Sequence, residues 1–510
     1  MSFKVTIRAT SITVRPGIEA MVPLAPLLAM HEYEDEYQDT TAVLGYMLDE
    51  EHDVLYLHKG VDIEYLRRLL KDIEFEYDRF DEYKQMNYEF EEAFSPRDED
   101  QQDVIDFISG KPPYRDSINE SQIFVVKKGG FGKTYCSGYA LGVLGMKTLI
   151  IMHRDALRTQ WVKSLYDLNG YPSSAVYELT SSEELEAIAH GQIKLDYDVY
   201  LMTHATFQAA CNRIRDCELI HNITKNLNIG FKIIDEAHLY FKDTLLMDFL
   251  FNVKRNLYLT ATDGRSSKDE NAIFRHVFSK SVFYRKASTS ETEKHPDKWV
   301  EYITVDINTH CKPNIYKYRV NGGRGMSAVT YGKWVIQYDK KQTHFKVCRD
   351  IIKEIYANES SAKVIVFMPL IDLCTDCAYF LNMELNNDES FEYSLDIKTV
   401  NSHNSKSDNE YNKHHADIIV TTVQSLGTGS DIKGITDIIN CSPIVSKIVV
   451  QQVMWRIRYI PKPCHYYDIV DISVPMDRHW WNSRKKTLKA MCTKYSHISW
   501  TDEEEENDSN

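Results

Sequence analysis

Glycine and proline are scarce, at 21 and 14 of 510 residues. That excludes a collagen-like or low-complexity chain. Long apolar runs are missing as well. Runs such as VLYL at 54–57 and TLIIM at 148–152 fall far short of the roughly 20 residues a membrane span needs. The N-terminus, MSFKVTIRAT, lacks the apolar core of a signal peptide. An intracellular, cytoplasmic chain with no membrane partner is expected. The ten cysteines form no framework. The one close pair, Cys374 and Cys377, has no second pair at zinc-ribbon spacing, so free thiols are expected.

Positive charge is also in short supply: 60 Lys and Arg against 75 Asp and Glu, a net −15. On its face this weighs against a nucleic-acid partner. The distribution changes that reading. Residues 31–100 hold 23 acidic and 7 basic side chains, a balance of −16, and the last ten residues add −6. Residues 1–30 contribute +2, which leaves +5 for 101–500. A mildly basic body can carry a local phosphate-binding groove. The hydrophobic fraction of 43% and aromatic fraction of 12% allow sizeable cores.

Residues 1–92 read as a small α+β module. KVTIRATSITV alternates like a strand, and DVLYLHKG reads as another. DIEYLRRLLKDIEFEYDRF has apolar residues at helical spacing through Ile63, Leu66, Leu69, Leu70 and Ile73. Beyond residue 93 short apolar runs alternate with helical stretches: IFVV, TLIIM, DVYLMT, FKIIDE, NLYLTAT, and later KVIVFM, ADIIVTT, DIINC and HYYDIVDI. Continuous apolar runs of this kind are buried parallel strands. Strands alternating with helices give doubly wound α/β sheets. Two such domains are expected, at 93–290 and 346–480. A linker or small insertion is expected at 291–345, and a basic helix with an acidic tail at 481–510.

The chemistry concentrates in a few segments. IFVV is followed by KKGGFGKTY and a helix. Gly130 and Gly132 let backbone N–H groups approach a triphosphate, Lys133 reaches its β- and γ-phosphates, and the Thr134 hydroxyl ligates magnesium. Lys127 occupies a slot where the full pattern has a small residue. FKIIDEAH is an apolar strand ending in Asp235 and Glu236. A carboxylate there suits a magnesium partner, and the second suits a general base. PRDEDQQDVIDF places Gln101 and Gln102 ahead of the glycine loop, where they also read as a polar helix start. Trp161 reads first as a core residue.

GFGKT, DEAH at 235–238 and TAT at 260–262 resemble motifs I, II and III of superfamily 2 helicases. TLIIMHRDALRTQW resembles motif Ia in the form of the XPB and UvsW branch, which includes phage and viral members. DVYLMTHATF resembles the next nucleic-acid-contacting motif, TTVQSLGTGSDIKGI motif V, and Gln452 to Arg458 motif VI. The resemblance implies two tandem RecA-like domains that hydrolyse ATP with Mg2+ at the cleft between them, and a host cytoplasm for a viral or phage chain. It implies that Asp235 holds magnesium and Glu236 is the base. His238, Thr260 and Thr262 would couple the nucleotide site to the second domain. Gly429 and Asp431 would sit at the ATP edge, with Gln452 and Arg456 facing the triphosphate and Arg458 either standing in for the missing arginine or lying off the site. The resemblance also implies a glutamine ahead of motif I that reads the adenine, Gln101 being favoured over Gln102 and a polar helix start staying open. Arg154, Thr203 and Thr422 would contact a nucleic-acid backbone.

DNA is favoured over RNA as the partner, with branched or forked duplex as substrate. An RNA helicase or transcription-release factor, and an ATP-switched binding protein with weak turnover, stay open. In QQVMWRIRY, Trp455 stands in the motif VI glycine slot and Tyr459 in the last arginine slot. Were the segment helical, Arg456 and Arg458 would point about 200° apart. Only an irregular segment lets both reach one phosphate.

Overall fold

The computed structural model describes residues 2–501 except 30–31, 36–39, 44, 92–94, 116, 118–119, 262–267, 287–298, 312–328, 334–338, 340–341, 427–431, 445 and 458–461. The chain divides into two compact units, Met1–Thr289 and Ser290–Asn510.

The first unit opens with a small mixed sheet. Its strands are β1 (Phe3–Ile7), β2 (Ser11–Arg15), β5 (Tyr46–Asp49), β6 (Val54–His58) and β7 (Ile73–Tyr77), after a hairpin of β3 (Glu32–Asp35) and β4 (Thr40–Val43) between β2 and β5. The order is β5-β6-β2-β1-β7. The helical spacing expected to run through Ile73 stops earlier. The helix is Ile63–Leu69, started by the Asp62 carboxylate accepting from Glu64 N–H. IEFEY then alternates with period two and forms β7, parallel to β1, where one face can pack and the other stays wet.

A seven-stranded sheet follows: β8 (Gln122–Val126), β9 (Thr148–Met152), β10 (Val176–Leu179), β11 (Val199–Thr203), β12 (Phe231–Ile234), β13 (Arg255–Thr260) and β14 (Val282–Tyr284). Its order is β10-β11-β9-β12-β13-β8-β14, and every pairing is parallel. Residues 79–91 strap the front module along this domain. Asn87 and Tyr88 N–H groups donate to the Asp198 carboxylate at 2.7 and 2.9 Å. The Phe90 ring lies so close to Gly142 that a Cβ there would come within 2.3 Å of it. The front module is bonded to the same unit. Arg8 donates to Phe249 O at 2.9 Å and the Thr10 hydroxyl to Asp248 O at 2.6 Å.

The second unit holds β15 (Val300–Ile307), β16 (Val364–Phe367), β17 (Ile397–Val400), β18 (Ile418–Thr421), β19 (Asp437–Asn440), β20 (Cys464–Asp471) and β21 (Lys494–Ser499). The order is β17-β18-β16-β19-β20-β15-β21, again all parallel. β15 falls within the stretch expected as linker or insertion, and β21 follows the expected basic helix. Two tandem RecA-like α/β domains with a small N-terminal sheet domain are thus in place. Cys374 and Cys377 are buried on the helix Ile371–Asn386. Among the described residues, no helix is long and apolar enough to cross a membrane.

Candidate nucleotide site

In the first unit the C-terminal ends of β8, β13 and β12 lie side by side, because β13 pairs with both neighbours. Ligands of open α/β sheets bind at this edge. The end of β8 runs into the glycine loop, the end of β12 into Asp235, and β13 ends on Thr260. Backbone bonds lock the three ends in register. Lys127 N–H donates to Thr260 O, and Ala237 N–H to Leu259 O, both at 3.0 Å.

The loop then turns into the helix Lys133–Leu144. Gly132 sits at φ +98, where a side chain is strained, and a Cβ would also meet Gln101 Nε2 at 2.5 Å. Gln101 is the reason for that closeness. Its amide donates to Phe131 O at 2.8 Å, and its carbonyl accepts from Arg97 N–H at 3.0 Å. Of the two glutamines, Gln101 is the one fixed against the loop. Lys127 is buried, with its ammonium 4.5 Å from the Phe131 ring and 5.4 Å from that of Tyr284. A lysine is thus accommodated where the motif has a small residue. Lys133 is buried too, and its ammonium donates to Lys127 O at 2.8 Å.

Asp235 and Glu236 are neighbours at the end of β12. Glu236 holds a left-handed backbone, φ +51, an outlier of the kind that clusters at functional sites. Burial pushes both carboxyl groups above the usual range, the Glu236 charge adds to the rise at Asp235, and Lys133 opposes it. His238 Nδ1 lies 3.0 Å from the Thr260 hydroxyl and 3.3 Å from Glu236 Oε2. That carboxylate oxygen is buried and accepts no hydrogen bond among the described residues, so it has acceptor capacity for a water. The Thr134 hydroxyl and the Asp235 carboxylate are hard oxygen donors of the kind magnesium takes, and these residues fit the cation.

Trp161 is a core residue that also touches the Asp235 carboxylate. It is fully buried, and its indole N–H donates to Asp235 Oδ2 at 2.9 Å. The partners are 74 residues apart, and no spacing in the sequence signals them. A hydrogen bond to a charged group is worth about 1.5–3 kcal/mol, and supports of a metal ligand typically matter 10- to 100-fold. Trp161→Phe is expected to raise the Mg2+ concentration for half-maximal ATPase by about tenfold. An unchanged Mg2+ midpoint in a titration would leave Trp161 a packing residue.

The remaining candidates are distributed over both units. Arg154 is half-buried at the start of the helix Asp155–Lys163. Thr203 and Thr422 share one local role. Each hydroxyl accepts from the N–H three residues on, Thr206 at 3.2 Å and Ser425 at 3.0 Å. In the second unit, Gln452 lies in the helix Lys447–Met454. The helix ends there, and Arg456 N–H bonds to Val453 O at 3.1 Å. The segment is irregular at the arginine, not a continuing helix. Thr262, Gly429, Asp431 and Arg458 lie outside the described residues.

Residues 64–265 match the family described as ResIII, type III restriction enzyme, res subunit. The match spans the loop, the carboxylate pair and Thr260. Among solved structures, the chain is similar to the helicase domain of Hef from Pyrococcus furiosus. The identity is 13% over 75% of this chain and 97% of that one, with a TM-score of 0.45. No curated protein matches. Together with the loop and carboxylate geometry, the family match supports a helicase-type, nucleic-acid-dependent ATPase.

Proposed function

We propose that the chain is an ATP-dependent helicase or translocase of the DEAH-box type, in the UvsW- and XPB-like branch of superfamily 2, acting on branched or forked DNA. One observation carries the reading: the loop that leads to Lys133, the Asp235–Glu236 pair and Thr260 come from the ends of three adjacent parallel strands. In this reading the glycine loop and Lys133 take the β- and γ-phosphates of ATP. Thr134 and Asp235 hold magnesium, which when bound neutralises phosphate charge. Glu236 accepts the proton of the attacking water, and the γ-phosphate leaves ADP as inorganic phosphate. The His238–Thr260 hydrogen bond ties the base to the neighbouring strand end. Arg456, with Gln452, Gly429 and Asp431, acts on the triphosphate during turnover in this reading, and Arg458 either joins it or has left the site. Arg154, Thr203 and Thr422 position a nucleic-acid backbone without reading sequence.

The preference for DNA rests on the form of the TLIIMHRDALRTQW segment. ATPase rates with single-stranded DNA, forked DNA and RNA test it. Strongest stimulation is expected with forked DNA. Strongest stimulation with RNA would replace the reading by an RNA helicase or transcription-release factor. Tight ATP-dependent binding with negligible turnover would make the chain a switch and not a motor.

A further inference from the structure

The helix Pro475–Lys489 buries Trp480, Arg484 and Leu488 along one side. The adjacent row is Trp481, Lys485 and Lys489, at the same four-residue spacing, so these side chains stand one above the next. β21 lies beside them and supplies Tyr495 and His497. The Lys485 ammonium is 3.9 Å from the centre of the Trp481 ring and 5.1 Å from that of Tyr495. The Lys489 ammonium is 3.7 Å from the Tyr495 ring. Trp481 is itself fixed. Its indole N–H donates to the Thr304 hydroxyl at 3.2 Å, and the His497 ring lies 6.0 Å away.

The charge here is out of keeping with a chain of net −15. Residues 478–494 hold six Arg and Lys and no Asp or Glu. Arg484 is buried on Asp468. Of the described carboxylates beside the patch, Glu301 pairs with Lys494 and Asp306 with His497. Lys485, Lys486 and Lys489 make no ion pair with a described carboxylate. Rings that hold ammonium groups this way fix flexible side chains in advance, which reduces the ordering cost of binding an anion. An aromatic-backed row of cations is the composition that tracks a polyphosphate strand.

We propose that this ladder, Lys485 and Lys489 on Trp481 and Tyr495 with Lys486 beside them, binds the sugar–phosphate backbone of nucleic acid. It is an anchor on the second unit, additional to the contacts proposed for Arg154, Thr203 and Thr422. It rests on the nucleic-acid reading above and adds a grip that needs no nucleotide.

Binding of a fluorescent forked DNA, without ATP and over a range of salt, tests the ladder. In Lys485→Gln/Lys489→Gln the dissociation constant at low salt is expected to rise about tenfold, and the log–log salt slope to fall by about 1.4–1.8. ATPase turnover at saturating DNA should stay at the wild-type level. Lys485→Arg/Lys489→Arg should bind as wild type does, which separates charge from a packing defect, and thermal melting checks the fold of each variant. Wild-type affinity and slope in the glutamine variant would overturn the anchor. If the wild-type protein binds neither DNA nor RNA, the functional reading itself falls, and the ladder with it.

Discussion

Glu236→Gln is expected to reduce nucleic-acid-stimulated ATP turnover on the order of a hundredfold to ten-thousandfold, the span that a positioned general base supplies. The substitution is nearly isosteric, and the left-handed backbone at Glu236 is one that glutamine meets at similar cost. The fold should therefore survive, and ATP affinity should change little. Lys133→Ala is expected to give a comparable loss by a different route. It removes the cation meant for the β- and γ-phosphates and so weakens ATP binding as well. Lys133 also offsets the burial of Glu236, so the two residues form one electrostatic unit, and the double variant should lose little beyond the worse single one. Steady-state ATPase assays with and without DNA measure both effects. Wild-type-like turnover in either variant would remove the proposed chemistry.

The parts of this site that the sequence shows are contiguous in the chain. GFGKT and DEAH each carry their chemistry within a few residues, and the strands leading into them are buried, largely apolar runs, IFVV with only Val126 half-buried and FKII with Lys232 among its buried residues. Parallel strands covered on both faces have to read this way. The parts it hides depend on distance. Trp161 reaches Asp235 across 74 residues, and Gln101 reaches Phe131 across 30. Either partner alone looks like a core tryptophan or a polar helix start.

The same logic sorts the strands. β14 (VFY) and β21 (KYSHIS) are edge strands, short or polar because one side needs no cover. They carry too little apolar signal to stand out from loops. β15 (VEYITVDI) alternates in burial and lies amid an irregular stretch, so its place between β20 and β21 is invisible before the pairing is known. The strap at 79–91 follows no period at all. Its fit comes from rings meeting glycines at Gly142 and Gly230.

Arg484→Met is expected to destabilise the second unit by about 3–5 kcal/mol, the usual result of removing one partner from a buried ion pair. Arg484 Nε contacts the two Asp468 oxygens at 3.0 and 2.9 Å, and its Nη2 lies 3.8 Å from Asp477 Oδ1. All three side chains are buried. The carboxylates have further donors. Asn440 and the Tyr302 hydroxyl bond to Asp468, and Asp471 N–H and the Tyr331 hydroxyl to Asp477. These dipoles remain in the variant, but the balancing positive charge does not. Burial already pushes Asp477 up to about 6 against the pull of Arg484, and without the arginine it should rise further. A carboxyl group whose folded pKa lies above its unfolded value of roughly 3.9 favours the folded state as it takes up its proton. The defect should therefore be full where Asp477 is ionised in both proteins, shrink as pH falls through the variant's raised value, and level off once the wild-type carboxyl also takes up its proton, below about 6. Urea denaturation of Arg484→Met at pH 7.5 and pH 5.5, set against the wild type, measures this. Adding Asp477→Asn should recover part of the loss at neutral pH and flatten the difference, because an amide needs no counter-charge. A variant as stable as wild type at pH 7.5 would show that the buried carboxylates do not depend on Arg484.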